Sequence, residues 1–181
     1  MSQFNKIIFS GPVGAGKTTA IAALSDSAPI RTDAKASDMT RDRKPATTVA
    51  LDYGVMSLPG GEKIHLYGTP GQERFDFMWD ILTTGGIGLV LLMDNTRADP
   101  FKDLQFFIGK FRDFITQTSL VIGVTQMDLS PTPSLASYIE QVAALGLNPP
   151  IFEVDARERN DVSVLVQALL YSLDPELEES N

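Results

Sequence analysis

The chain has 181 residues, 43% hydrophobic and 21% charged, the size of one domain with a well-developed core and a composition ordinary for a soluble globular protein. With 23 acidic and 15 basic residues it carries a net charge of −8, and with no cysteine it can form no disulfide and no thiolate metal site. Such a surface repels nucleic-acid phosphates, and no run of Lys and Arg offsets it, so nucleic acid is not an expected partner.

The stretch from Met1 to Lys6 lacks the long apolar region of a secretory signal. The longest apolar run, Ile87 to Met93, falls well short of the roughly 20 residues that span a bilayer. Ser2 argues against myristoylation, and without cysteine neither prenylation nor palmitoylation is possible. No direct membrane anchor is expected, and the expected location is cytoplasmic.

Ile7 to Phe9 predicts a short buried strand ending at Gly11, and Thr18 to Leu24 begins a helix with Ile21 and Leu24 on one face. Asp26 to Ala46, polar, mixed in charge and containing Pro29 and Pro45, reads as a long functional loop. Thr47 to Leu58 and Lys63 to Tyr67 flank Pro59-Gly60-Gly61 and predict a hairpin. A loop from Gly68 to Gly71 leads to a helix over Arg74 to Leu82, whose Phe75 and Trp79 suit either the core or a partner-binding face. His65, the sole histidine, reads as structural.

Ile87 to Met93 has the continuous apolar character of a strand covered on both faces. Phe101 to Phe114 predicts a helix, Leu120 to Val124 a strand, Leu135 to Leu145 a helix, Ile151 to Val154 a strand, and Val162 to Leu173 a last helix before an acidic tail over 174–181. The pattern implies one α/β domain with its core at about residues 4–173. Its sheet is expected to be six-stranded and mainly parallel, with one antiparallel hairpin strand and helices on both faces.

Gly11-Pro12-Val13-Gly14-Ala15-Gly16-Lys17-Thr18 completes the pattern G-x-x-x-x-G-K-[ST] between a buried strand and a helix. Its glycines let successive backbone N–H groups of Val13, Gly14, Ala15 and Gly16 turn toward a phosphate, and the helix that carries Thr19 adds its dipole. Lys17 is suited to sit between β- and γ-phosphates, and the Thr18 hydroxyl to ligate Mg²⁺. By itself this P-loop NTPase element leaves kinase, ATPase and GTPase open.

Tyr67-Gly68-Thr69-Pro70-Gly71-Gln72-Glu73-Arg74-Phe75 resembles the switch II segment D-T-A-G-Q-E-R-F of Ras- and Rab-like small GTPases. Thr47-Thr48-Val49 looks like their switch I, Thr125-Gln126-Met127-Asp128 like the guanine motif [NT]-K-x-D, and Asp155-Ala156-Arg157 like S-A-K. The resemblance spans the domain in the family's order. The Gly-Thr-Pro-Gly-Gln run is most similar to bacterial stand-alone small GTPases related to the gliding-motility polarity switch.

The resemblance implies a site for GTP or GDP with Mg²⁺. Gly71 would offer its N–H to the γ-phosphate, and Gln72 would orient the attacking water. Thr48 would close over the metal when the triphosphate is bound, so that Thr18 and Thr48 are the implied metal ligands. Asp128 would accept from guanine N1–H and the 2-amino group, and the Ala156 N–H would donate to the 6-oxo group. Thr125, Gln126 and Arg157 would complete the base pocket. A regulatory or effector protein, of the small roadblock type, is the implied partner.

Three departures bear on mechanism. Gly68 stands where the family has the aspartate that holds a metal-bound water, with Asp52 and Asp94 as candidate substitutes. Gln126 and Arg157 replace two lysines. Val13 adds bulk beside the γ-phosphate position. Slow hydrolysis is expected, aided by a partner or by a cis arginine at Arg41 or Arg43, unless that stretch is a solvated mixed-charge loop with Asp38 and Asp42. The reading is a GTP/GDP molecular switch, with a nucleotide-dependent scaffold and a small-molecule kinase as alternatives.

Overall fold

A computed structural model describes residues 5–26, 30–35, 48–70 and 77–173, with side chains described outside 30–35, 48–51 and 77. In chain order the elements are β1 (Asn5–Ser10), α1 (Lys17–Leu24), β2 (Ile30–Lys35), β3 (Thr48–Ser57), β4 (Lys63–Gly68), α2 (Phe77–Thr83), β5 (Gly88–Asp94), α3 (Pro100–Lys110), α4 (Arg112–Gln117), β6 (Leu120–Thr125), α5 (Leu135–Ala144), β7 (Ile151–Glu153) and α6 (Arg159–Leu173). They form one sheet in the order β2-β3-β4-β1-β5-β6-β7. Strands β4, β1, β5, β6 and β7 are mutually parallel, whereas β2–β3 and β3–β4 pair antiparallel.

The expected α/β architecture is present, with seven strands among the described residues rather than six. The additional strand is β2, within the stretch read from sequence as loop. An edge strand has only one neighbour, and polar residues suit it; Ile-Arg-Thr-Asp-Ala-Lys therefore gives no buried-strand signature. The helix expected over Phe101–Phe114 is divided at Phe111 (φ −99°, ψ 11°) into α3 and α4.

Alternation along the central strands divides the core between two faces. Ile7 and Phe9 of β1 join Ile21 and Leu24 of α1 and Val162, Leu165 and Leu169 of α6. Ile8 lies on the opposite face with Trp79, Leu104, Phe107, Ile108, Tyr138 and Val142 from α2, α3 and α5. Strands β5 and β6 are buried along their whole length, as parallel strands between two helical layers must be. Trp79 is therefore core: it stacks on Phe107 and Phe111, and its Nε1 donates to Pro70 O at 3.1 Å.

The helices start on local signals. Asp99 caps α3 by accepting from Lys102 N, with Pro100 in the first turn, and Ser134 caps α5 by accepting from Ser137 N. Among the described residues no helix is long and apolar enough to cross a membrane. The β1, β5 and β6 carboxyl ends lie side by side in register, so the loops that leave them converge at one edge of the sheet, where α/β folds bind ligands.

Candidate functional site

Between β1 and α1 the chain makes a turn that only glycine allows at two points. Gly11 has φ 145°, and a Cβ there would come within 2.0 Å of Leu92 O in the β5 backbone. Gly16 has φ 102°, and its Cβ would meet Ala156 Cβ at 2.8 Å. The phosphate loop thus packs directly on β5 and on the residue expected beside the base.

Lys17 folds back over this loop and donates from Nζ to Gly11 O at 2.6 Å and Pro12 O at 3.0 Å. Its side chain is buried, and burial pushes its pKa down to about 8; Asp52 opposes that shift and Arg97 adds to it. Thr18 points the other way and donates from Oγ1 to Asp52 Oδ2 at 2.6 Å. Thr69, after β4, is tied to β1 by its N–H to Phe9 O at 2.9 Å and its hydroxyl to Ser10 Oγ at 2.7 Å. Val13 stands outward, 56% exposed.

Beside the loop lies a cavity of about 620 Å³, within the range of small-molecule sites. Gly14, Ala15, Gly16 and Thr19 line one side, and Thr125, Gln126, Asp128, Ala156 and Arg157 the other. All five residues expected around the base therefore share one cavity with the phosphate loop. Thr125 is buried and bonds from its hydroxyl to Ala15 O at 2.9 Å and Met93 O at 3.1 Å. Gln126, in the left-handed region at φ 63°, donates from Nε2 to Gly14 O at 3.1 Å. It bridges the loop after β6 and the phosphate loop, with an amide where the resembled motif has a lysine.

Arg157 forms a bidentate pair with Asp155, its Nε on Oδ1 at 2.9 Å and NH2 on Oδ2 at 2.8 Å. The Arg157 side chain, through these hydrogen bonds, holds the Asp155 carboxyl down at about 2, and Asp155 in return raises the guanidinium. Asp128, also near enough to raise Arg157, carries an exposed carboxylate at the cavity rim.

Sequence reasoning missed the support beneath this loop. Asn95, buried after β5, donates from Nδ2 to Ser130 O at 2.6 Å and Pro133 O at 3.0 Å, and accepts from buried Tyr138 OH at 2.8 Å. Its backbone N–H bonds Thr125 O at 3.1 Å. A polar residue just past a buried strand was the only available signal. Of the two carboxylates considered near the metal position, Asp94 instead closes its own turn, its Oδ1 accepting from Thr96 N and Oγ1.

Thr48 opens β3, four residues before Asp52. At roughly 3.3 Å per residue along a strand, its backbone lies about 13 Å from that of Asp52, so the sheet does not bring Thr48 to Thr18. Gly71, Gln72, Arg41 and Arg43 lie outside the described residues. Among the described residues no group of three or more His, Asp and Glu forms a cage for a metal. The Thr18 hydroxyl and Asp52 carboxylate are hard oxygen donors and fit Mg²⁺, which commonly takes one or two protein oxygens and completes its shell with phosphates and water.

Residues 27–169 match the profile of a family described as "Conserved hypothetical ATP binding protein". The chain is also similar to Ras-related protein RabC of Dictyostelium discoideum, 23% identical over 181 residues that cover 97% of this chain and 86% of the relative. Ras-related protein Rab-3 of Caenorhabditis elegans is 24% identical over 140 residues, 74% of this chain and 63% of the relative. Ras-related protein Rab-18-B of Danio rerio is 27% identical over 119 residues, 64% of this chain and 52% of the relative.

Proposed function

We propose, from the premise that this chain belongs to the family of conserved hypothetical ATP binding proteins and is a nucleotide-binding P-loop protein of Ras-like ancestry, that it works as a guanine-nucleotide switch with slow GTP hydrolysis. The observation that supports this reading most is the shared cavity. Asp128, Gln126, Thr125, Ala156 and Arg157 meet Gly14, Ala15 and Gly16 around one space of nucleoside size.

In this reading the loop N–H groups and Lys17 hold the β- and γ-phosphates, and the Ala156 N–H and Asp128 carboxylate read the base. Guanine offers Asp128 two donors, N1–H and the 2-amino group. Adenine offers neither at that edge, so a preference for GTP of at least about a hundredfold is expected. Magnesium, when bound, would supply positive charge to the phosphates and be held by Thr18; Thr48 would join it in the triphosphate form only if the start of β3 left the sheet. Gly71 contacts the γ-phosphate, and Gln72 orients the water. Titration with fluorescent mant-GTP and mant-GDP, with ATP as competitor, tests the assignment. Equal displacement by ATP would remove guanine specificity and leave the ATP-binding description of the family as the better account.

The Gly68-Thr69-Pro70-Gly71-Gln72 sequence supports kinship with bacterial polarity GTPases and hence a roadblock-type regulator. Exposed Val13 beside the phosphates favours a second reading, a nucleotide-dependent scaffold with negligible hydrolysis. Phosphate release that is measurable and abolished by Gln72→Leu supports the switch; no release with or without a partner supports the scaffold.

A further inference from the structure

Among the residues lining the cavity beside the phosphate loop, Arg157 is the single basic one, while Asp128, Glu153, Asp155 and Asp161 bring carboxylates. Asp161 is engaged by the Asp155 N–H, which donates to its Oδ2 at 2.9 Å. Asp155 takes the arginine. Its Oδ1 accepts from Arg157 N and Nε, both at 2.9 Å, and its Oδ2 accepts from NH2 at 2.8 Å. One carboxylate thus holds the turn and the guanidinium together. The Arg157 side chain is 76% exposed, so this clasp rather than packing fixes its direction. Asp128, on the loop after β6, also attracts Arg157, more than Glu158 does. Among the described residues none donates a hydrogen bond to the Asp128 carboxylate.

One cation within reach of two carboxylates pairs fully with only one of them. If Arg157 sat on Asp128, its N–H donors would occupy the oxygens that a base must reach, and the base would have to break an ion pair to bind. We propose that Asp155 is a positioning residue for base selection: by clasping Arg157 it keeps the guanidinium off Asp128 and leaves that carboxylate open to the donors of guanine. The proposal rests on the guanine-nucleotide reading. The resembled motif has serine at the position of Asp155, and a hydroxyl cannot hold a guanidinium through two acceptors. The acid at 155 and the arginine at 157 are therefore a matched pair in this chain, and losing Asp155 alone does more harm to base selection than losing both.

The test is displacement of mant-GDP by GDP and by ADP in wild type, Asp155→Ala, Asp155→Asn, Arg157→Ala and Asp155→Ala/Arg157→Ala. Circular dichroism establishes folding; Asp155→Asn keeps an oxygen for the Arg157 N–H and serves should Asp155→Ala fail to fold. Competition from an exposed ion pair is modest, so both Asp155 variants should lower the GDP-to-ADP affinity ratio by about three- to fivefold. Added KCl should shrink that loss, because screening weakens a pair between Arg157 and Asp128, whereas a distorted turn would not respond. Arg157→Ala should weaken both nucleotides alike and keep the wild-type ratio, and the double variant should return to that ratio. A loss that persists in the double variant, or an unchanged ratio in folded Asp155→Ala or Asp155→Asn, would overturn the proposal while sparing the guanine reading. Equal affinity of the wild type for GDP and ADP would remove both.

Discussion

Gly16 and Ala156, 140 positions apart in sequence, touch so closely that a methyl group on Gly16 would come within 2.8 Å of Ala156 Cβ. This contact joins the phosphate loop to the loop after β7 that is proposed to hold the base, and fixes the distance between the two halves of the cavity. Gly16→Ala adds left-handed strain (φ 102°) to that collision. It should lower stability by about 1–3 kcal/mol and weaken nucleotide binding more than tenfold. The double variant Gly16→Ala/Ala156→Gly should recover part of the melting temperature because it removes the clash and leaves the strain. Thermal melts with nucleotide titrations measure both.

Lys17 supplies the pH dependence. Its pKa, pushed down to about 8 chiefly by burial, must rise when phosphates bind, because their charge favours the ammonium. Below about 8 the lysine is already charged and affinity is flat. Above it binding must take up a proton, and affinity should fall with a slope approaching tenfold per pH unit. The nucleotide-free fold has the opposite trend. The unfolded chain holds this proton up to about 10.5, so stability should rise between about 8 and 10.5. Calorimetry in buffers of different ionisation heat detects the uptake; equal heats at pH 9 would contradict it.

Asn95 and Tyr138 offer a separation of base from phosphate. Tyr138→Phe removes the donor to Asn95 Oδ1 in a buried setting and should cost about 1–3 kcal/mol. Asn95→Ala also frees the carbonyls of Ser130 and Pro133, and the loop with Asp128 should lose its fixed path. The expected signature is a fall in the GTP-to-ATP affinity ratio larger than the loss of inorganic pyrophosphate binding. Parallel losses would mean a purely structural role.

Arg157 should behave differently. Its pair with Asp155 is solvent-exposed, and such pairs add little to folding. Arg157→Ala is expected to leave the melting temperature unmoved while raising the dissociation rate of mant-GDP, measured by stopped flow.

How much of this was legible in the sequence depends on how local each feature is. The phosphate loop follows from spacing within a few residues, Asp128 and Ala156 from resemblance to short family motifs, and one cavity gathers them. Strand β2 was not legible, because Ile30–Lys35, although its uncharged and charged residues alternate, is an edge strand with only two apolar residues, set in a polar stretch that contains Pro29 and Pro45. The interruption at Phe111 is hidden for the opposite reason: the apolar stripe runs through it unchanged into Ile115. Asp52 could be counted as a carboxylate but not located. Its relation to Gly68 exists only once the register between β3 and β4 is set, and a slip of one residue would send it to the other face.

The indole of Trp79 has a use beyond packing. It is the chain's single tryptophan, stacked against Phe107 and Phe111, with its N–H on the carbonyl of Pro70, the residue just before Gly71 and Gln72. Any displacement of that carbonyl alters the hydrogen bond of one buried fluorophore and no other tryptophan contributes background. The protein therefore carries an intrinsic optical probe beside the residue that precedes the segment proposed to contact the γ-phosphate, and its emission is expected to follow nucleotide exchange in unlabelled material.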